Sequence, residues 1–202
     1  FPNLKNQFFL DPKTIFLNHG SFGACAKPIY RNLLKWQKKL EKEPVKFFEE
    51  TIFEALQKSR KALGQYINCS EMDLIFFQNP TTAINAVAKS IKLEDGDEVL
   101  STNHIYGALD RTWQYICTQK KAKFIKANIT CPIQAKDNFL KQFYTYINEQ
   151  TKVIFLSHIT SMTAIKFPIE DVIKFAKKNH ILTIIDGAHA PGHITLDLKK
   201  LD

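Results

Sequence analysis

Asp186 closes the apolar run Ile181-Leu182-Thr183-Ile184-Ile185 and opens Asp186-Gly187-Ala188-His189-Ala190-Pro191-Gly192-His193. A carboxylate in that place is poorly solvated and calls for a cationic or hydrogen-bonding partner. Gly187, Ala188 and Ala190 keep bulk away, so a flat molecule can approach the backbone. A metal site built from Asp186, His189 and His193 is set aside, because Pro191 breaks the helical face that would aim both histidines at one ion. Three other segments could do chemistry. In Gln78-Asn79-Pro80-Thr81-Thr82-Ala83 two hydroxyls and free N–H groups meet a new helix. Such a place is either a phosphate seat or a plain threonine cap. In Ser101-Thr102-Asn103-His104-Ile105-Tyr106-Gly107 two aromatic rings sit at a strand-to-helix junction, where one could lie on a planar ligand or simply pack inside. Ser157-His158-Ile159-Thr160-Ser161 gathers polar groups at a buried sheet end, suited to a polar ligand, to caps or to water. No Gly-x-Gly-x-x-Gly and no Walker lysine is present, so neither a dinucleotide fingerprint nor an NTPase loop is written here.

The elements that must position these groups follow from periodicity. Ile29, Leu33, Trp36 and Leu40 fall at helical spacing in a helix over 28–42 that starts at Pro28. A second helix is predicted from Pro44 to about Tyr66, with Val45, Phe48, Ile52, Ala55, Leu56 and Leu63 on its buried side. Pro44 marks a break between the two. Strands are predicted at 74–77, 97–100, 123–126, 153–156 and 181–185, alternating with helices at 81–91, 107–119, 137–148 and 169–179. Apolar strands separated by helices mean an α/β fold, a mostly parallel sheet sandwiched by helices. Ligands of such sheets bind beyond the carboxyl ends of the strands, which is where all four polar segments fall.

Composition bounds the rest. The 202 residues carry a net charge of +8, but only Arg31, Arg60 and Arg111 among the 28 basic residues are arginine. Bidentate recognition of bases and phosphates draws on arginine, and the lysines are spread along polar faces, so no nucleic-acid partner is expected. No window has the roughly eighteen uncharged apolar residues of a membrane span, and Phe1 to Pro12 lacks the pattern of a secretory signal. The expectation is a cytoplasmic protein with no membrane partner. Cys25, Cys69, Cys117 and Cys131 are far apart, with no Cys-x-x-Cys, and are expected as buried free thiols.

Five motifs in order carry a family resemblance. They are Leu17-Asn18-His19-Gly20-Ser21-Phe22-Gly23, Asn79-Pro80-Thr81-Thr82-Ala83-Ile84-Asn85, His104-Ile105-Tyr106-Gly107-Ala108, His158-Ile159-Thr160-Ser161-Met162-Thr163-Ala164, and Asp186-Gly187-Ala188-His189-Ala190-Pro191-Gly192. Together they resemble the class V aminotransferase branch of pyridoxal 5'-phosphate (PLP) enzymes of fold type I, above all its isopenicillin N epimerase-like members, related to cysteine desulfurases. The resemblance implies the large domain of a PLP-dependent transferase, incomplete at its C-terminus. It places an arm and helix at 1–43 and the N-terminal part of that domain at 44–202, without the small domain.

The resemblance also implies roles. Thr82, with the Thr81 backbone, would hold the cofactor phosphate. His104 would stack on the ring, with Tyr106 as second choice. Asp186 would pair with the ring nitrogen, and His189 and Ser161 would bond the phenolic oxygen region. Asn18, His19, Gly20 and Ser21 would form a loop near the substrate. Family members hold PLP on a lysine of a His-Lys pair beyond the Asp-Gly-Ala-His motif. Lys199 and Lys200 come too early and follow no histidine, so no catalytic residue is assigned. The implied protein is a PLP-dependent epimerase, desulfurase or aminotransferase acting on an amino acid, a homodimer when full-length. It is expected to be truncated here before its lysine, and inactive or very weak as this chain alone. The alternative is an inactive remnant acting as a dimerisation or interaction partner.

Overall fold

Runs rich in Ile, Val, Phe and Leu form four strands, β1 (Glu98–Thr102), β2 (Lys123–Ala127), β3 (Thr151–Ser157) and β4 (Leu182–Asp186). The computed structural model describes residues 4–133 and 135–201. The expected boundaries at residues 1 and 202 lie outside them. The helices are α1 (His19–Phe22), α2 (Lys27–Lys42), α3 (Pro44–Lys46), α4 (Ile52–Ile67), α5 (Pro80–Ser90), α6 (Gly107–Lys120), α7 (Lys136–Tyr144) and α8 (Ile169–Lys178). The chain divides into two compact units, Phe1–Leu63 and Gly64–Asp202.

In the second unit the four named strands pair in parallel, in the order β2-β1-β3-β4. The chain steps outward from β1 to β2, then returns to place β3 on the other side of β1. The order therefore reverses between β1 and β3, and a crevice beyond the carboxyl ends of these two strands is where this architecture seats ligands. Alternate residues of the strands serve two cores. Leu100, Ile154 and Leu156 pack with Phe139, Phe143, Phe167, Ile169 and Val172 on the α7–α8 side. Val99, Val153 and Phe155 pack with Ile84, Leu109, Trp113 and Ile116 on the α5–α6 side. The sheet is thus sandwiched, as the apolar runs require.

Several expectations need correction. Residues 74–77 form no strand among the described residues. Ile75, Phe76 and Phe77 lie exposed, because a strand exists only through a hydrogen-bonded neighbour and none reaches them. Helix α7 stops at Tyr144 rather than 148. The Thr145 hydroxyl donates to the Gln142 carbonyl (2.7 Å), and Tyr146 and Ile147 close tighter turns back onto Phe143 and Tyr144. The four cysteines are free, but only Cys117 is buried. Its thiol is pushed up to about 11 by burial, while Cys25 and Cys131 are exposed.

In the first unit the predicted helix over 44–66 is broken. A π-helical turn, Phe47–Thr51, separates α3 from α4. None of Val45, Phe48, Ile52, Ala55, Leu56 and Leu63 is buried, and Val45 and Phe48 are more than half exposed. Ile52, Ala55 and Leu63 are only partly buried, so among the described residues the apolar side of this helix is incompletely covered. No helix of the described residues is long and apolar enough to cross a membrane.

Candidate cofactor site

Helix α5 opens on an Asn-Pro pair. Extended Asn79 accepts the Thr82 N–H on its Oδ1 (2.8 Å), and Pro80 fills the first helical position, where no N–H is needed. The cap is therefore Asn79 rather than a threonine. This frees the Thr81 and Thr82 hydroxyls at the positive end of the helix, a setting suited to an anion. The Thr82 N–H is already spent on the cap, so that residue has its hydroxyl to offer. The Asn79-Pro80 dipeptide was the signal in the sequence for this cap. Asn79→Ala is expected to cost about 1 kcal/mol of stability, read from the midpoint of urea unfolding.

Beyond β1 the chain turns at His104. Its Nε2 lies 3.0 Å from the Ile129 carbonyl and 3.5 Å from the Cys131 Sγ, both in the loop after β2. Its Nδ1 lies 3.4 Å from the Thr163 hydroxyl, in the loop after β3. His104 thus ties three strand-end loops together across the point where the strand order reverses. Its ring meets that of Phe167 edge-on at 6.1 Å. Tyr106, the second candidate for stacking, is the residue before α6 and is exposed.

Beyond β3, Ser157, His158 and Thr160 are buried, whereas Ser161 is exposed. The His158 N–H donates to the Asp186 carbonyl (2.9 Å), tying the ends of β3 and β4 together. The His158 Nε2 is buried without a partner among the described residues. Burial pushes its pKa down, Lys166 acts in the same direction and Glu170 opposes them, so the ring is held neutral.

Asp186 ends β4 with 7 % of its surface exposed. Burial raises its pKa, while the Ala188 N–H that it accepts (3.0 Å) and nearby His189 pull the other way. No cationic side chain among the described residues forms an ion pair with it. A carboxylate kept this dry is incomplete until a cation or a strong donor meets it. The space beside it is open. A Cβ added at Gly187 would meet nothing within 4 Å. The dry carboxylate and the open space beside it fit a flat cationic ring.

His104, Tyr106, Ser161, Asp186 and His189 follow the carboxyl ends of β1, β3 and β4, whereas Thr81 and Thr82 lie in the first turn of α5, which no strand among the described residues precedes. Asn18 to Ser21 belong to the first unit. There Asn18 caps the short helix α1 by accepting the Ser21 N–H (3.3 Å), and the His19 ring packs edge-on against Phe16 (4.7 Å). Thr163 and Cys131, which with Thr160 of the polar segment also build the surroundings of His104, were not singled out in the sequence as site residues. Only contacts between distant loops reveal them.

A parallel sheet covered on both faces by helices, with a buried unpaired carboxylate at its carboxyl end, is an α/β fold of the doubly wound kind. The aminotransferase class-V family model matches residues 25–202, and the chain belongs to that family. It is similar to isopenicillin N epimerase of Streptomyces clavuligerus, 25 % identical over 98 % of this chain and 50 % of that protein. It is likewise similar to hercynylcysteine sulfoxide lyase of Schizosaccharomyces pombe, 26 % identical over 98 % of this chain and 51 % of the relative. The chain thus spans about half the length of these curated relatives. Among solved structures, the fold matches a complex of the cystine C–S lyase C-DES with cysteine persulfide, with a TM-score of 0.84 and 18 % identity over 95 % of this chain and 51 % of that one. It also matches the cysteine desulfurase CsdA from Escherichia coli, with a TM-score of 0.78 and 18 % identity over 98 % and 51 %.

Proposed function

We propose that this chain is the cofactor-binding part of a PLP-dependent enzyme that acts on an amino acid, of the epimerase, C–S lyase, desulfurase or aminotransferase kind. The observation that carries this reading is the buried, unpaired carboxylate of Asp186 at the carboxyl end of β4. Family membership and the relatives' names support it.

When bound, PLP supplies an electron sink for a substrate's α-carbon. The protein's part is to hold and orient. Asp186 keeps a proton on the ring nitrogen. The Thr81 and Thr82 hydroxyls and the α5 dipole hold the phosphate. His104 lies against the ring face, with Tyr106 as the second candidate. Ser161 and His189 donate towards the phenolic oxygen region. No lysine of this sequence is assigned the covalent link to PLP. The homodimer implied by the resemblance belongs to the same reading, and the exposed Ile29, Leu33 and Trp36 along α2 support it. Four free cysteines support a reducing, cytoplasmic setting.

Titrating PLP into the protein, with fluorescence and absorbance as readouts, tests this. Saturable binding that Thr82→Val weakens about tenfold, the loss of a charge-assisted hydrogen bond, is expected. Borohydride treatment followed by mass spectrometry should find no stoichiometric lysine adduct. Absence of saturable binding refutes the reading.

A further inference from the structure

The contacts around His104 have one consistent direction. The Ile129 carbonyl, 3.0 Å from Nε2, can only accept, so Nε2 carries the proton. Nδ1 of the neutral ring must then accept, and the Thr163 hydroxyl is the donor in place, at a long 3.4 Å. Thr163 in turn lies 2.7 Å from the Thr160 hydroxyl, which itself accepts the Ile165 N–H at 2.9 Å. Every group is satisfied when the chain runs Ile165 N–H to Thr160, Thr160 to Thr163, Thr163 to Nδ1, and Nε2–H to Ile129. Run backwards, it leaves the hydroxyl proton of Thr160, a residue 2 % exposed, with no acceptor among the described residues. A buried unmade hydrogen bond is costly, and aligned hydroxyls polarise one another.

We infer that Thr163, backed by Thr160, is a positioning residue that locks His104 as the neutral Nε2–H tautomer with its ring fixed in plane. This rests on the reading that His104 lies against the cofactor. A neutral imidazole presents an electron-rich face to a cationic ring, whereas an imidazolium would add like charge. The lock also holds before any cofactor arrives, because all its groups belong to the protein.

The test uses nitrogen-15 spectra of the His104 ring in the cofactor-free chain, alongside PLP affinity. Thr163 is exposed and valine matches its shape, so Thr163→Val keeps the fold. The wild-type ring is expected as a single Nε2–H tautomer. Thr163→Val leaves the Ile129 carbonyl on Nε2 but takes the donor from Nδ1, so the Nδ1 resonance should shift and PLP binding weaken about fivefold, the equivalent of one neutral hydrogen bond. Thr163→Ser, which restores the hydroxyl, should reverse both effects. A valine variant whose ring spectrum is unchanged overturns the lock. A changed spectrum with unchanged PLP affinity overturns its role in the site. If the wild-type chain binds no PLP, the functional reading falls instead, and the ring spectrum still decides the lock.

Discussion

Asp186→Asn weakens PLP binding by about a hundredfold or more and leaves the cofactor-free protein at least as stable. Breaking a buried charge pair by removing one partner costs about 3 kcal/mol or more, which is about two orders of magnitude in affinity. The neutral amide cannot hold the ring nitrogen's proton by charge. In the cofactor-free state the same exchange removes an unpaired buried charge. The asparagine carbonyl still accepts the Ala188 N–H, so no hydrogen bond is lost. The pH dependence follows from the direction of the shift. Burial raises the folded-state pKa of Asp186 above its unfolded value, so the folded form binds the proton more tightly. Its contribution to stability is fully present at pH below the unfolded carboxylate value and is lost as pH rises through the folded one. The asparagine variant lacks that fall. Melting curves of both proteins from mildly acidic to neutral pH should therefore diverge in favour of the variant as pH rises. A variant less stable than wild type at neutral pH, or one that binds PLP equally well, sinks the assignment.

Residues legible in the sequence were those whose partners the chain itself supplies. The runs at 97–100, 123–126, 153–156 and 181–185 became strands because each finds a parallel neighbour within the second unit, and the helices between them cover both faces. Asp186 was legible because an apolar strand run ends on it; the strand's end is dry, although Leu182 on this edge strand is exposed and Thr183 to Ile185 are only half-buried. Leu74 to Phe77 has the same composition but finds no strand neighbour, and composition alone cannot report that. The stripe from Val45 to Leu63 fails likewise, because periodicity gives the apolar side of a helix and not the presence of a cover. Within the site, the local cap at Asn79 was encoded by two adjacent residues. The chain from Thr160 through Thr163 to His104 spans 59 positions and exists only once β1 and β3 lie side by side.

Phe139→Ala is expected to remove about 3–5 kcal/mol, a third or more of the stability of an ordinary domain. The ring is fully buried and stacks on Phe143 at 5.5 Å and on Phe167 at 4.6 Å. Alanine leaves a void that two other aromatic rings cannot both collapse to fill. Phe139→Leu keeps most of the volume and should lose less than half as much, which separates the void from the mere loss of an aromatic face. The damage does not stop at the core. Phe167 meets the His104 ring edge-on at 6.1 Å, so the stack Phe143-Phe139-Phe167 ends against the residue assigned to the cofactor face. With Phe139 removed, Phe167 loses its backing and His104 loses a wall. PLP affinity per folded molecule should then fall in the alanine variant and recover in the leucine one, with the folded fraction taken from urea unfolding curves. An affinity loss that the unfolded fraction alone accounts for would separate core from site, and an alanine variant as stable as wild type would refute the packing described.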